Sequence, residues 1–221
     1  PKQQEQRGKF ATAFSFLKAI KPFIRIGYKE LTQDKSAFNS AMSYTLKRAV
    51  TGSGKEIKID FDRALVSMGT LMPIFEGAAT VSNHQMTFNW KDNSGMGNAE
   101  RTDIAMVLVY NKDREAAVYD TEAALRSDCH AGLQLPEDWQ DDELVAYLSF
   151  CSTDGNCVAN SICLPISVIE IPEEEIDVQT ESIDTTHKRI LPDKRTVHQS
   201  RITVHSLSAP PNEIRTYRCE T

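Results

Sequence analysis

Residues 92–98 bring together oxygen-bearing side chains and glycines, the composition from which a Ca²⁺-binding loop is built. The candidate ligands are Asp92, Asn93, Ser94 and Asn98. A well-formed calcium loop alternates acidic residues and ends on a bidentate glutamate, and this segment has neither feature. Ordinary strand connections use the same residue types. We therefore expect a strand connection here, keep a metal site as a weak alternative, and predict no cofactor for the chain.

A second candidate for ligand chemistry is the run Thr-Gly-Ser-Gly-Lys at residues 51–55, which resembles part of a phosphate-binding loop. The complete pattern requires a glycine at position 49 and a serine or threonine at position 56, where this chain has Ala49 and Glu56. The run also follows a helix-forming segment, whereas a phosphate loop follows a strand. We interpret it as a helix end followed by a flexible turn.

The five cysteines show no Cys-x-x-Cys pair and no dense disulfide framework. Cys151, Cys157 and Cys163 are spaced six residues apart around a predicted hairpin. If residues 153–155 form its loop, Cys151 and Cys157 face each other across the two strands, and a disulfide is geometrically conceivable. Zinc would need close paired spacings and a fourth ligand. We expect free, partly buried thiols, with a disulfide as the alternative.

The histidines show neither metal-binding nor catalytic spacing; they are His84, His130, His187, His198 and His205. A nucleophilic serine or cysteine needs a strained turn or a basic partner, and no Gly-x-Ser-x-Gly or cysteine-protease signature occurs. Cys129 and His130 are neighbours in sequence, which does not place their side chains together. We predict a non-enzymatic protein and rank an enzyme of unknown class third.

Around these candidates, the first fifty residues have the periodicity of helices. One apolar stripe recurs at three- and four-residue steps: Phe10, Ala13, Phe14, Leu17, Ile20 and Ile24. Pro22 predicts a break and Gly27 a helix end. A second helix is predicted to begin after the N-cap Ser36. Its apolar face consists of Phe38, Ala41, Met42, Thr45 and Ala49. We expect a helical hairpin over residues 1–55 that packs on the domain that follows.

From residue 56 the apolar period falls to two, which is typical of half-buried strands. Ile57, Ile59 and Phe61 alternate with charged residues. Further strands are predicted near residues 86–90, 104–110, 116–121, 131–135, 144–151 and 157–165. Short strands without long helices between them predict an antiparallel β-sandwich of fibronectin type III or immunoglobulin type over residues 56–169. The predicted fold class is therefore α+β.

Three alternating residues of this region are expected in the core of the sandwich. Trp90 should lie between the two sheets, with Phe88 and Met86 on the same face of its strand. Trp139 should cover the loop before strand 144–151, and the carboxylates around it should form a solvated acidic turn.

Several segments carry a resemblance to a known family. The runs QRGKFATAFSFLKAIKPFIRIGYKE, AFNSAMSYTLKRAVTG, IDFDRALVSMGTL, FNWKDNSGMGNAERTDIAMVLVYN and LVAYLSFCSTDG occur in this order. Together they resemble an uncharacterised family of Bacteroidetes proteins, known only as a domain of unknown function, over about residues 3–165. The resemblance implies kinship without an activity. It also implies that a Gly-rich, Trp-containing segment was removed before Pro1. The opening pattern QxxQRxKF is similar to segments of phage-associated structural proteins.

The net charge and the hydropathy of the chain limit the kinds of partner that it can have. The formal net charge of −6 argues against nucleic acid, because phosphate binding needs a concentrated positive face. No apolar run approaches the roughly 18 residues of a membrane span, and no secretory signal pattern is visible. We expect a protein partner or self-association, no membrane span, and a location in the cytoplasm or in an assembled or extracellular particle.

The last quarter of the chain differs from the rest in charge. Residues 166–186 hold seven carboxylates and no Lys or Arg, whereas residues 187–221 hold seven Lys or Arg against three carboxylates. We interpret residues 170–221 as a charged C-terminal extension. Ile202 and Val204 alternate with polar residues, which predicts a strand over residues 201–207 that adds to an open sheet edge. A disordered tail is an equal alternative.

These features together predict a structural or protein-interaction module, repeated in a larger assembly of phage-like or extracellular type. A ligand- or carbohydrate-binding module that uses the loops at one end of the sandwich is the alternative. Part of this prediction is analogy, because the same sandwich serves many functions.

Overall fold

The computed structural model describes residues 2–168 of the chain. Three helices come first: α1 (Lys2–Ala19), α2 (Lys21–Gly27) and α3 (Ala37–Arg48). The strands are β1 (Val50–Thr51), β2 (Lys58–Ile59), β3 (Gly77–Ser82), β4 (Gln85–Trp90), β5 (Ile104–Asn111), β6 (Ala116–Leu125), β7 (His130–Gln134), β8 (Leu144–Cys151), β9 (Ile162–Leu164) and β10 (Ile166–Val168). The predicted extension, with Ile202 and Val204, lies outside the described residues.

The helix boundaries follow local backbone chemistry. Pro22 lies in the first turn of α2, where its missing N–H costs nothing, and this turn separates α2 from α1 at Ile20. α2 ends at Gly27, as predicted. The hydroxyl of Ser36 accepts a hydrogen bond from the backbone N–H of Asn39 at 3.2 Å and caps α3. With these boundaries, α1 and α3 lie beside each other in the structure.

The predicted apolar stripe of α1 is wrong at two positions. Ala13, Leu17 and Ile20 are fully buried, but Phe10 and Phe14 are 52% and 43% exposed. Ile24 of the predicted stripe is buried too, and the buried face is completed by Phe16 of α1 and Phe23 of α2, which lie outside the stripe. A helix with apolar residues on more than one flank can turn either flank inward, and contacts with the sheet decide which one is buried.

The strands form two four-stranded sheets and one short ladder. One sheet has the order β10-β3-β4-β7 and the other the order β6-β5-β8-β9. All of their neighbouring strands are antiparallel except β10 and β3, which are parallel. β1 and β2 pair separately. The described part of the chain is therefore a mixed α+β structure with open sheets.

Two strand predictions need correction, and the strands β1, β3 and β10 were not predicted. The alternating segment from residue 57 to 62 contributes only Lys58–Ile59 to a strand, because the backbone turns at Asp60, whose carboxylate accepts from the N–H of Arg63. The predicted strand 157–165 is shorter, at Ile162–Leu164. β3 was not predicted from the sequence, since its small residues Gly-Ala-Ala-Thr-Val-Ser carry little hydrophobic signal.

The two middle strands of the sheet β6-β5-β8-β9, β5 and β8, are buried on both faces. Met106, Leu108, Tyr110 and Tyr147 face the helices and share one core with them. Val107, Val109, Leu148 and Phe150 face the other sheet. There they meet Trp90, Phe88 and Met86, which are all buried, and the rings of Trp90 and Phe150 lie edge to face at 5.6 Å. The helices, the central sheet β6-β5-β8-β9 and the outer sheet β10-β3-β4-β7 thus form three layers, with one apolar core on each side of the central sheet.

The hairpin between β8 and β9 has a different register from the one predicted. Cys151 pairs with Val158, and Cys157 instead faces Ser152, whose backbone N–H donates to the Cys157 carbonyl at 2.9 Å. Gly155 takes the left-handed conformation expected of the loop, with φ +69°. Cys151 joins the helix-facing core and Cys157 packs on the other one. The four described cysteines (Cys129, Cys151, Cys157 and Cys163) are free thiols.

Candidate functional site

The polar side chains of residues 92–98, the candidate calcium loop, form hydrogen bonds within the protein. The amide of Asn98 accepts from the N–H of Met72 at 2.8 Å and donates to the carbonyl of Thr70 at 3.1 Å. Asp92 accepts from the backbone N–H and the hydroxyl of Ser94, which lowers the pKa of its carboxyl. The loop is tied to residues 70–73, and few of its oxygens are left for a metal ion.

The fourth candidate ligand, Asn93, faces a buried cation. Its Oδ1 accepts from Nη1 of Arg126 at 2.7 Å, and its Nδ2 donates to the carbonyl of Pro73 at 2.8 Å. The Arg126 guanidinium also donates from Nε to Asp103 at 3.0 Å and lies 4.0 Å above the ring of Phe150. Burial lowers the pKa of Arg126, and the attraction of Asp103 opposes that shift. A cation at Asn93 would therefore meet another cation, so the loop does not fit Ca²⁺.

The other residues that were candidates for ligand binding or catalysis also have local structural roles. Gly52 and Gly54 have φ of +80° and +60°, so residues 51–55 form a turn between β1 and β2. His130 Nδ1 lies 2.8 Å from the carbonyl of Asp128, which fixes the ring on the backbone. Over residues 2–168, no group of three or more His, Cys, Asp or Glu side chains has the spacing of a metal site.

Charge is divided between the helices and the sheets. Residues 1–50, which hold the three helices, contain ten Lys or Arg against three Asp or Glu. Residues 51–168 contain eight Lys or Arg against eighteen Asp or Glu. The net charge of −6 hides this division, because the two excesses largely cancel. The helical layer therefore presents a positive surface on an acidic protein.

An exposed aromatic pair lies on this positive layer. The rings of Phe10 and Phe14 are stacked, with centroids 6.2 Å apart and planes 15° apart. Phe14 also meets Phe38 of α3 edge to face at 5.9 Å. Aromatic side chains that stay half-exposed and pre-ordered by one another are typical anchors of protein interfaces.

Two cations flank the aromatic pair. Arg7 lies three residues before Phe10, and Lys18 lies four residues after Phe14, so all four share one side of α1. Both cations are exposed, and neither has a carboxylate within 4 Å among residues 2–168. Glu5, the single carboxylate of α1, is bound to Lys9 at 2.9 Å. We call Arg7, Phe10, Phe14, Lys18 and Phe38 the aromatic–basic surface.

A groove of about 600 Å³ opens where the outer sheet meets the loop before β8. Its apolar wall includes Leu135, Trp139 and Val168, and Val168 is 73% exposed. Asp142 and Glu143 line the same groove. We call this cavity the acidic groove.

The acidic rim of this groove is held in place by two cations. Arg114 binds Asp138 at 2.6 Å and also contacts Asp142, while Lys112 contacts Glu143. These hydrogen bonds lower the pKa of Asp142 and raise the pKa of Arg114. The predicted solvated acidic turn is therefore partly an ion-pair network, although the loop keeps an excess of carboxylates.

A larger groove of about 690 Å³ lies between α1 and β2. Two of the carboxylates that line it are paired: Lys112 contacts Glu143, and Glu115 accepts at 2.5 Å from Ser15 beside the groove. Burial raises the pKa of Tyr110, which lines it, to about 12, so the phenol stays protonated at neutral pH. This groove therefore combines paired carboxylates with a neutral phenol.

The sequence contained a signal for the aromatic–basic surface that our reading missed. Phe10 and Phe14 are four residues apart and look like core residues in any periodicity count. The excess of ten cations over three carboxylates in residues 1–50 was equally visible. Charge taken segment by segment, rather than over the whole chain, indicates the positive layer.

Comparison with known proteins identifies a family whose function is unknown. The family model of DUF6266, described as a family of unknown function, matches residues 1–165. This match confirms the resemblance to an uncharacterised family. No characterised protein and no solved structure matches the chain. None of the described helices is both long and apolar enough to cross a membrane.

Proposed function

The chain belongs to DUF6266, and because that family has no assigned function, we propose from the geometry that the protein is a non-enzymatic protein-interaction module. The observation that carries this proposal is the aromatic–basic surface, where Phe10 and Phe14 remain half-exposed between two cations that have no carboxylate within 4 Å among residues 2–168. Its partner is an acidic protein that presents an apolar recess.

The strand order supports an interaction module of fibronectin type III or immunoglobulin type. Counted from β3, the third, sixth and seventh strands (β5, β8 and β9) share one sheet, as strands C, F and G do in that fold. The first, second and fifth strands (β3, β4 and β7) share the other, as A, B and E do. This relation is an analogy of fold, and it supports a binding role without naming the partner.

Energetics favour docking at the aromatic pair. Burying the exposed part of two phenyl groups contributes on the order of 2 kcal/mol. Arg7 and Lys18 can add attraction that is strongest at low salt, since the screening length falls from about 10 Å at 0.1 M to about 3 Å at 1 M. Because the two rings already stack, little side-chain entropy is lost on binding.

Two of the described thiols support the non-enzymatic part of the proposal. Burial raises the pKa of Cys151, and burial raises the pKa of Cys163 to about 12. A nucleophilic cysteine needs the opposite shift, because the thiolate is the reactive form.

Site-specific photo-crosslinking tests the proposal. Ala11 is exposed beside Phe10, and replacing it with p-benzoylphenylalanine puts a crosslinker on the aromatic–basic surface. We expect a discrete adduct in the native cell extract, weakened by high salt and lost in the Phe10→Ser/Phe14→Ser variant. The matched control places the crosslinker at Arg101, an exposed residue outside the helical layer. An adduct pattern that is identical at both positions, or insensitive to the two phenylalanines, contradicts the proposal.

A second candidate function, binding of a neutral ligand such as a carbohydrate, is favoured by the outer face of the sheet β10-β3-β4-β7. The side chains that alternate with its buried residues include no Asp, Glu, Lys or Arg; they are Ala78, Thr80, Ser82, Gln85, Thr87, Asn89, His130, Gly132, Gln134 and Ser167. The register aligns Thr80, Thr87 and Gly132 in one row across three strands. Such a face offers hydrogen bonds without charge, which suits hydroxyl groups.

Affinity electrophoresis separates this candidate from the first. Retardation of the protein in gels that contain dextran or hydroxyethyl cellulose, lost in Thr87→Lys and kept in Phe10→Ser/Phe14→Ser, supports carbohydrate binding. If the mobility of the wild-type protein is unchanged in both gels, the outer face of this sheet no longer supports carbohydrate binding.

A further inference from the structure

We propose that the acidic partner of the aromatic–basic surface is a second copy of this chain, which receives Phe10 and Phe14 in its acidic groove. This inference rests on the proposed function and names the partner. It joins two surfaces that share no residue, one on the helical layer and one between the outer sheet and the loop before β8.

The apolar parts of the two surfaces correspond. The acidic groove has a volume of about 600 Å³, within the range of about 300–1,000 Å³ that holds small organic ligands, and therefore has room for two phenyl rings. Trp139 and Leu135 give it an apolar floor, and Val168 leaves a large apolar side chain exposed at its edge. Docking would cover exposed apolar groups on both partners at once.

The charged parts correspond as well. Arg7 and Lys18 lie eleven residues apart on α1, about 16 Å along the helix axis, with the aromatic pair between them. Asp142 and Glu143 line the acidic groove, and Asp138 lies beside them in the same ion-pair network. Arg114 and Lys112 already pair with these three carboxylates. The loop at residues 137–143 holds five carboxylates in all, so one wall of the groove keeps a net negative charge that attracts Arg7 and Lys18 and steers association.

The contact is heterologous, because each copy offers two different surfaces. A copy that docks its α1 into a neighbour still has its own acidic groove free for a third copy. Such contacts close into rings or continue as open chains, depending on the rotation between copies. The protein would therefore assemble beyond a dimer as concentration rises and salt falls.

The experiment is sedimentation velocity of the 221-residue protein at rising concentration in 50 mM and 500 mM NaCl. We expect the wild type to form species larger than a dimer at low salt and to remain smaller at high salt. The α1 variant Phe10→Ser/Phe14→Ser and the groove variant Gln140→Arg/Val168→Arg should each stay monomeric alone. Mixed in equal amounts, they should form a 1:1 dimer that grows no further. The intact α1 of the groove variant docks into the intact groove of the α1 variant, and no other pair of intact surfaces remains.

Controls keep the outcome clear. Arg7→Glu/Lys18→Glu leaves the phenylalanines in place and should also prevent assembly, while Arg101→Glu reverses a single distant exposed charge and should not. Melting curves confirm that each variant is folded. A mixture of the two surface variants that stays monomeric overturns the proposal, as does wild-type assembly that both variants leave intact. Assembly that depends only on residues 187–221 overturns it too.

The result also separates the two proposals. If the crosslinker at Ala11 captures a different acidic protein while the purified chain stays monomeric, the protein-interaction function stands and the second copy is excluded. If α1 captures nothing and the chain stays monomeric, both proposals fail.

Discussion

The guanidinium of Arg126 donates to the carboxylate of Asp103 across 3.0 Å, and both side chains are buried. Replacing Arg126 with methionine should lower the free energy of unfolding by about 3–5 kcal/mol, because it leaves Asp103 as an uncompensated buried charge. Urea denaturation followed by fluorescence measures the loss. The double variant Arg126→Met/Asp103→Leu should recover part of the stability, and a double variant less stable than the single one contradicts this account.

Trp90, the last residue of β4, is buried in the core between the two sheets and donates its indole N–H to the carbonyl of Arg126 at 2.8 Å. Trp90→Ala should cost about 3–5 kcal/mol through lost burial and a residual cavity. Trp90→Phe keeps an aromatic ring on Phe150 and should cost less. Thermal unfolding of the three proteins ranks them, and equal losses for the two variants would show that packing contributes little at this position.

The elements that the sequence predicted are those fixed by local chemistry. Pro22 marks the start of α2 through its missing N–H, and Ser36 marks the start of α3 through its side-chain cap. Neither effect needs a distant residue. The alternation of Met86, Phe88 and Trp90 likewise placed β4. Sequence periodicity was sufficient for β4, whose apolar side chains all lie on one face.

The features that the sequence did not reveal depend on distant partners. Arg126 is buried only because Asp103 and Asn93 converge on it from other loops, and no local pattern announces a buried arginine. Phe10 lies in an apolar stripe, yet the sheet covers the neighbouring flank of α1. The Cys151–Cys157 pairing differed because Ser152, rather than Cys151, faces Cys157 in the turn. One residue of register moves a side chain to the other face.

The described thiols should differ in reactivity because of burial. Burial raises the pKa of Cys151 and raises that of Cys163 to about 12, so neither is a thiolate at pH 8. We expect native protein treated with iodoacetamide at pH 8 to leave Cys151 and Cys163 unmodified, as read by peptide mass spectrometry. In urea both should react fully. Rapid native modification of Cys163 would show that its surroundings open easily.

The ion pairs around Arg114 should make stability depend on pH in the acidic range. Hydrogen bonds from Arg114 and Asn111 hold the pKa of Asp142 below its ordinary value of 3.8, so the folded state binds a proton there less readily than the unfolded state. The stabilisation is therefore complete above that ordinary value and is lost as pH falls through the lower pKa of the folded protein. Arg114→Gln should lower the melting temperature slightly at pH 7, and the difference from wild type should shrink toward pH 2.5. Calorimetry across this range measures it, with Arg63→Gln, which touches a separate ion pair to Asp60, as the matched control. A difference between wild type and Arg114→Gln that stays constant down to pH 2.5 would show that Arg114 acts through packing and not through the charge of Asp142.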